Sequence, residues 1–203
     1  MKQHPILFST PMVQAILQGN KTQTRRIKNL NQVNECPEKW NFKEMDTIIT
    51  LNNKHIHGAI FSLNETSHRI INGCPYGNLG DILWVRETWK NNNFPQCGGY
   101  YEYKADCDYP EAKFNKGIWK PSIHMPKSAC RIWLLITDIR VERLQSISEQ
   151  DAIAEGAMTL TPSDNLPAIV RYHMLWDIIN GPDSWTQNPW VWVIEFKRVE
   201  KPC

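Results

Sequence analysis

Two stretches near the C-terminal end limit the fold more than any other part of the chain: CRIWLLITDIRVERL, residues 130–144, and PWVWVIEFKRV, residues 189–199. The first begins as a continuous apolar run and becomes alternating, which suits a long strand whose far end reaches the surface. The second alternates throughout and is rich in β-branched and aromatic residues, so it also reads as a strand. GDILWVRETW, starting at Gly80, reads as a turn feeding a third strand, with Ile82, Trp84 and Arg86 on one side and Leu83, Val85 and Glu87 on the other. Strands spaced this irregularly, with few helices between them, argue against a doubly wound sheet. A small mixed β-barrel flanked by helices fits better, and the expected class is α+β.

The helices carry clear punctuation. Thr10 is the expected N-cap of the first, with Pro11 at its first position, Met12, Val13, Ile16 and Leu17 on one face, and Gly19 as its stop. SISEQDAIAEG predicts a short helix with Ser148 as N-cap, Asp151 in the capping-box position and Gly156 as the stop. A longer helix is expected from about Asn165 to Asn180, with Leu166, Ile169, Val170, His173 and Trp176 on one face. Residues from about 30 to 78 and from about 90 to 128 hold no long period. Both regions read as insertions in a single domain spanning residues 1–203, the first with possible strands at DTIITL and HGAIFSL.

Composition narrows the function. A net charge of +2 means that a nucleic-acid partner needs a local basic patch. Nine tryptophans supply either an aromatic core or stacking surfaces for bases. The N-terminal region offers only Ile6-Leu7-Phe8 as an apolar run, so neither a signal peptide nor a membrane anchor is expected, and the expected location is the cytoplasm. Six cysteines then read as thiols. Cys36, Cys74, Cys97 and Cys107, with His55, His57 and His68, lack the CxxC spacing of zinc knuckles, and no metal or organic cofactor is expected. No glycine-rich phosphate loop, HExxH or GxSxG is present.

LQGNKTQTRRI, residues 17–27, crowds Lys21, Arg25 and Arg26 around two threonines. Strand parity puts Thr22, Thr24 and Arg26 on one side and Gln23, Arg25 and Ile27 on the other. Lys21, Thr24 and Arg26 can be read as a nucleophile site, because a threonine hydroxyl attacks only when a neighbour takes its proton and a lysine does so only while neutral. That requires a lowered lysine pKa, which burial or a nearby cation favours. Glu155, in the last turn of the short helix, faces the negative end of the helix dipole and calls for a compensating cation such as Lys21 or an arginine. A direct Glu155–Lys21 pair would raise the lysine pKa, so the carboxylate is expected as proton carrier or substrate anchor. The same residues also fit a solvated basic helix end with β-prone threonines.

GNKTQTRR fills the GxKxxxxR signature of the ASCH domains, relatives of the PUA RNA-binding fold, with Gly19, Lys21 and Arg26 at the fixed positions. The later GD strand entry at Gly80-Asp81, the LxxISEQDAxAEG helix and the terminal WVIEFKRV strand follow in the same order. The chain resembles phage or prophage ASCH proteins, with core segments covering about half of it. The resemblance implies a PUA-like barrel and an amidohydrolase acting on N4-acetylcytidine, in which Thr24 attacks the exocyclic amide, Lys21 activates it and Glu155 assists the leaving amine. Arg26 would tune the lysine or bind substrate. Arg86, Glu87, Trp89 and His124 are candidates for an added cleft wall, Trp89 stacking a base and Glu87 accepting from a cytosine amino group. The expected partner is a modified nucleoside or single-stranded RNA or DNA. Two alternatives stay open: a non-catalytic RNA- or DNA-binding module, and a ribonuclease.

Overall fold

The two C-terminal runs pair with each other over almost their whole length, and the rest of the fold is arranged around that ribbon. The computed structural model describes residues 1–49, 53–64, 66–91, 101–107, 118–160 and 165–202. Its strands are β1 (Gln3–Leu7), β2 (Gln23–Arg26), β3 (Trp40–Ile49), β4 (His55–Leu63), β5 (Arg69–Gly73), β6 (Ile82–Arg86), β7 (Trp89–Asn91), β8 (Tyr101–Tyr103), β9 (Trp133–Arg143) and β10 (Trp190–Val199). Its helices are α1 (Thr10–Leu17), α2 (Asn31–Asn34), α3 (Glu149–Ala154), α4 (Ala157–Leu160) and α5 (Ala168–Asn180).

The class is α+β. The main sheet has five strands in the order β1-β6-β9-β10-β2, with β1 parallel to β6 and the other pairs antiparallel. β9 and β10 run in register from Arg143 opposite Trp190 to Trp133 opposite Val199, with one bulge at Glu195/Phe196. A closed barrel was expected; the sheet is open, with β1 and the four-residue β2 at its edges. The outer edges are linked by a side chain instead, since Arg26 Nη2 donates to the Leu7 carbonyl at 2.8 Å.

Alternate residues of β10 serve two cores, which explains its continuous apolar character. Trp192 and Ile194 pack with Ile6, Val13, Leu134 and Val141 on one face. Val191 and Val193 pack with Ala152, Ala157, Tyr172 and Trp176 of the helical layer on the other. A third cluster joins Ile82, Trp89, Met125 and Trp133.

The first irregular region, residues from about 30 to 78, holds a sheet. β3, β4 and β5 form an antiparallel meander whose Trp40, Ala59 and Phe61 belong to the same core as Trp192. Only its inner face is apolar, and β3 is polar enough along both faces to hide the period.

Two helix details differ from expectation. Ser9 rather than Thr10 is the cap position of α1. In α5 the buried face is Ala168, Arg171, Tyr172 and Trp176, whereas Leu166 and Val170 are 37% and 39% exposed. His173 stacks on Trp185 and meets Asp177 at 3.2 Å. Among the described residues, no helix is long and apolar enough to cross a membrane.

Candidate functional site

The site forms where the end of α1 meets the end of α3. Gly19 turns the chain out of α1 at φ +79°, after which the amides of Asn20 and Lys21 both donate to the Ala15 carbonyl, at 2.8 and 3.2 Å. Lys21 then forms an isolated bridge with Glu155, and the Thr22 amide donates to the Ala154 carbonyl at 2.8 Å. β2 continues along β10, with Thr24 opposite Ile194 and Arg25 opposite Val193. α3 starts from a complete capping box between Ser148 and Asp151. It ends at Ala154 with Glu155 as its C-cap, followed by Gly156 at φ +82°. A β-carbon on Gly156 would lie 3.1 Å from the Ala15 Cβ and 3.3 Å from the Lys21 Cβ, so glycine is required both for the turn and for the fit.

Lys21 and Glu155 make a buried ion pair, with side chains 0% and 3% exposed. Lys21 Nζ donates to the Gln23 carbonyl at 2.8 Å, the Glu155 carbonyl at 2.8 Å and Glu155 Oε2 at 2.9 Å. Three donors meet three acceptors, so the ammonium is fully satisfied. Arg25 Nη1 reaches Glu155 Oε1 at 3.2 Å, while its Nη2 lies 3.1 Å from Glu142 and 3.5 Å from Asp151. Arg140 extends the network by contacting Glu142, Asp151, Glu195 and Asp138. Two cations thus offset the unfavourable position of Glu155 at a helix C-terminus. Glu155, expected as a proton carrier or substrate anchor rather than a tight lysine partner, is in direct contact with Lys21. Burial nevertheless holds Lys21 below its ordinary pKa, with Glu155 opposing the shift and Arg26 and Arg25 adding to it.

Beside this pair lies a cavity of about 220 Å³, lined by Thr24, Arg25, Arg26, Glu155, Tyr172 and Trp176 among others. Arg26 is stacked over the Phe8 ring, 5.2 Å from its centroid, and Lys21 Nζ lies 5.6 Å from the same ring. Burial pushes the Tyr172 phenol well above its ordinary pKa, and Glu155 adds to the shift, so the phenol stays a neutral donor. Three N–H groups around this cavity, Arg25 Nε, Arg26 Nε and Trp176 Nε1, are buried without a partner among the described residues. An unmade bond of this kind costs roughly 1–3 kcal/mol, which an acceptor bound in the cavity would offset once the side chain turns to meet it.

The structure therefore brings Thr24, Arg26 and Glu155 to one cavity, with Lys21 directly behind Glu155. Arg86, Glu87, Trp89 and His124 do not line it. Arg86 donates to the carbonyls of Met125 and Ile123 and covers the Trp84 ring. Glu87 is 1% exposed, and both its oxygens accept from Arg131 at 2.9 Å. Trp89 is buried edge-on against Tyr101, and His124 is exposed in a single 3-10 turn. These side chains tie the second irregular region to the main sheet, which removes Glu87 and Trp89 from ligand reach.

Among the described residues no group of three or more His, Cys, Asp or Glu side chains is placed to hold a metal; Cys97 lies outside those residues. Arg25 and Tyr172 are the site residues that sequence reasoning missed. Parity set Arg25 opposite Thr24, but β2 is buried on both faces and presents both residues. Tyr172 follows Ala168 and precedes Trp176 at four-residue spacing, a signal of the inner helix face that the sequence contains. Comparison of the chain with models of known families, with curated proteins and with solved structures returned no match.

Proposed function

We propose that the protein is an amidohydrolase of ASCH type that removes the acyl group from N4-acylated cytidine, using Thr24, Lys21 and Glu155. One observation carries the reading: Thr24 and Glu155 open onto the same small cavity, while Lys21 touches Glu155 at 2.9 Å. At about 220 Å³ the cavity is smaller than the roughly 300–1,000 Å³ of sites for drug-sized ligands, and suits one base with a short acyl group. In this reading the open five-stranded sheet is a PUA-like barrel left unclosed at β1 and β2, and the chain works in the cytoplasm, where its thiols stay reduced.

The chemistry follows from the pair. Passing one proton from Lys21 to Glu155 Oε2 leaves an amine with a lone pair beside a protonated acid. Burial of Lys21 favours that neutral form, as do its arginine neighbours. Lys21 rests on the Gln23 carbonyl, one residue before Thr24, and the mechanism requires its amine to swing from there to the Thr24 hydroxyl. The amine takes the Thr24 proton as the oxygen attacks the acyl carbonyl. The resulting oxyanion is met by N–H groups of the arginine wall. The C–N bond breaks, the Glu155 proton goes to the cytosine amine, and the acyl group stays on Thr24 as an ester. Water then attacks that ester and gives one proton to Glu155, Lys21 returns its proton to the Thr24 oxygen as the ester C–O bond breaks, and the carboxylic acid leaves.

The ester is the testable species. Protein mixed with N4-acetylcytidine and quenched in acid should carry one acetyl group on the peptide containing Thr24 by mass spectrometry. Cytidine release with no acetylation at any time point rejects Thr24 as nucleophile. Absence of cytidine under all conditions rejects the hydrolase.

A further inference from the structure

A second concavity lies at the other end of the β9–β10 ribbon. This groove of about 550 Å³ is lined by Arg131, Trp133, Arg198, Glu200 and Lys201 together with Cys130 and Val199. From Ile194, which pairs with Thr24, to Val199 at the groove is five residues of strand, on the order of 17 Å.

Arg198 and Lys201 are exposed and form no ion pair among the described residues; neither does Lys127, which sits over the Trp133 ring, 5.9 Å from its centroid. Trp133 is buried, yet its indole N–H has no partner among the described residues. The unpaired cations at the rim suit an anionic ligand.

The surroundings add a stacking element. Among the described residues, five of the eight contacts between a cation and an aromatic ring belong to this part of the molecule: Lys127 on Trp133, Arg131 on Tyr103, Lys120 on Trp89, Lys90 on Trp119 and Arg86 on Trp84, with the Trp89 and Trp133 rings buried. Trp84, Trp119, Tyr101 and Tyr103 are half-buried, so each keeps part of its surface open. Lys90 is paired with Glu102, and Arg131 with Glu87 and Asp106, which leaves Arg86, Lys120 and Lys127 without an ion pair among the described residues. Interleaved positive charge and half-exposed rings fit a flexible polyanion carrying flat bases better than they fit an acidic peptide or a smooth anionic surface.

We infer that this groove is a docking track for single-stranded nucleic acid. Arg198, Lys201 and Lys127 hold the phosphates, and the neighbouring aromatic surface receives unstacked bases. The inference stands on the groove alone. Where the hydrolase reading also holds, it makes the modified base part of a strand rather than a free nucleoside.

Fluorescence anisotropy with a roughly 12-nucleotide labelled oligouridylate, which contains no acylated cytidine, tests it. The wild-type protein should bind with an affinity that falls as salt rises. Each phosphate contact on a single strand contributes about 0.7 to the salt slope, so the double variant R198A/K201A should lower the slope by about 1.4 and the affinity about 25-fold at roughly 0.1 M salt. Thr24→Ala should bind like wild type. Both altered side chains are exposed, and an unchanged thermal midpoint checks that the double variant folds. No binding by wild type, equal binding by R198A/K201A, or binding of inorganic polyphosphate as tight per unit charge as that of the oligonucleotide overturns the track. Hydrolysis of free N4-acetylcytidine is read separately. RNA binding without hydrolysis sinks the enzyme and leaves the track, whereas hydrolysis without RNA binding does the reverse.

Discussion

Replacing Lys21 by methionine removes the charge at the centre of the site while keeping an unbranched stem of similar length. Three hydrogen bonds disappear together, to the Gln23 carbonyl, the Glu155 carbonyl and Glu155 Oε2. Glu155 remains buried with Arg25 Nη1 at 3.2 Å as its remaining cation. Removing one partner of a buried ion pair costs about 3–5 kcal/mol. The surviving arginine pulls the expected value toward the lower end, and the two abandoned carbonyls push it back up. For a chain of 203 residues, each kcal/mol moves the melting temperature by about 2–4 °C, so Lys21→Met should melt roughly 6–20 °C lower. Glu155→Gln should cost a similar amount, and the double variant should fall short of the sum by about 1–3 kcal/mol because both changes act on one contact. Urea unfolding followed by the fluorescence of the nine tryptophans measures all three. A loss below about 1 kcal/mol for Lys21→Met, or strict additivity in the double variant, refutes the buried pair.

Gly156→Ala should destabilise by about 1–3 kcal/mol, since the left-handed backbone strain is joined by the contacts of its new methyl with Ala15 and Lys21. Gly19→Ala carries the same strain but meets nothing within 4 Å, so it is the matched control, and equal losses of stability in the two would contradict the packing argument. The pH dependence follows from Lys21, whose folded pKa lies below the ordinary 10.5. Between those two values the unfolded chain binds more protons, so wild-type stability rises with pH and its advantage over Lys21→Met widens toward pH 10.5. Urea midpoints of both proteins across that range would show it, and a narrowing gap would reverse the sign assigned here. Glu87→Gln should lower the melting temperature through its paired Arg131 yet leave kcat/KM for free N4-acetylcytidine unchanged, because Glu87 does not line the cavity.

The parts of the fold legible in the sequence are those whose period is written by burial on known faces. β9, β10 and β6 alternate or run apolar, and α3 carries its Ser148–Asp151 box and Gly156 stop in the open. β1 has five residues with a single buried side chain, Ile6, and left no period to read. β3 was obscured by polar residues on a sheet with only one buried face. At the site, Lys21 and Glu155 are 134 positions apart, a distance no local pattern spans; the electrostatic misfit of Glu155 at a helix end was the clue that a cation had to arrive. Arg25 stayed hidden because parity assigns one face to a strand, whereas β2 is covered on both. Glu87 and Trp89 sat in a strand-like motif that suggested a cleft, and their burial against Arg131 and Tyr101 is a tertiary fact.

Cytidine release from N4-acetylcytidine, followed by chromatography for the wild-type protein and Thr24→Ala side by side, tests the central claim most directly. The arrangement around Thr24 requires steady release by wild type and a rate at least about a thousandfold lower in the variant, in which the nucleophile is gone. Equal rates, or no product from either protein while both remain folded, would contradict it.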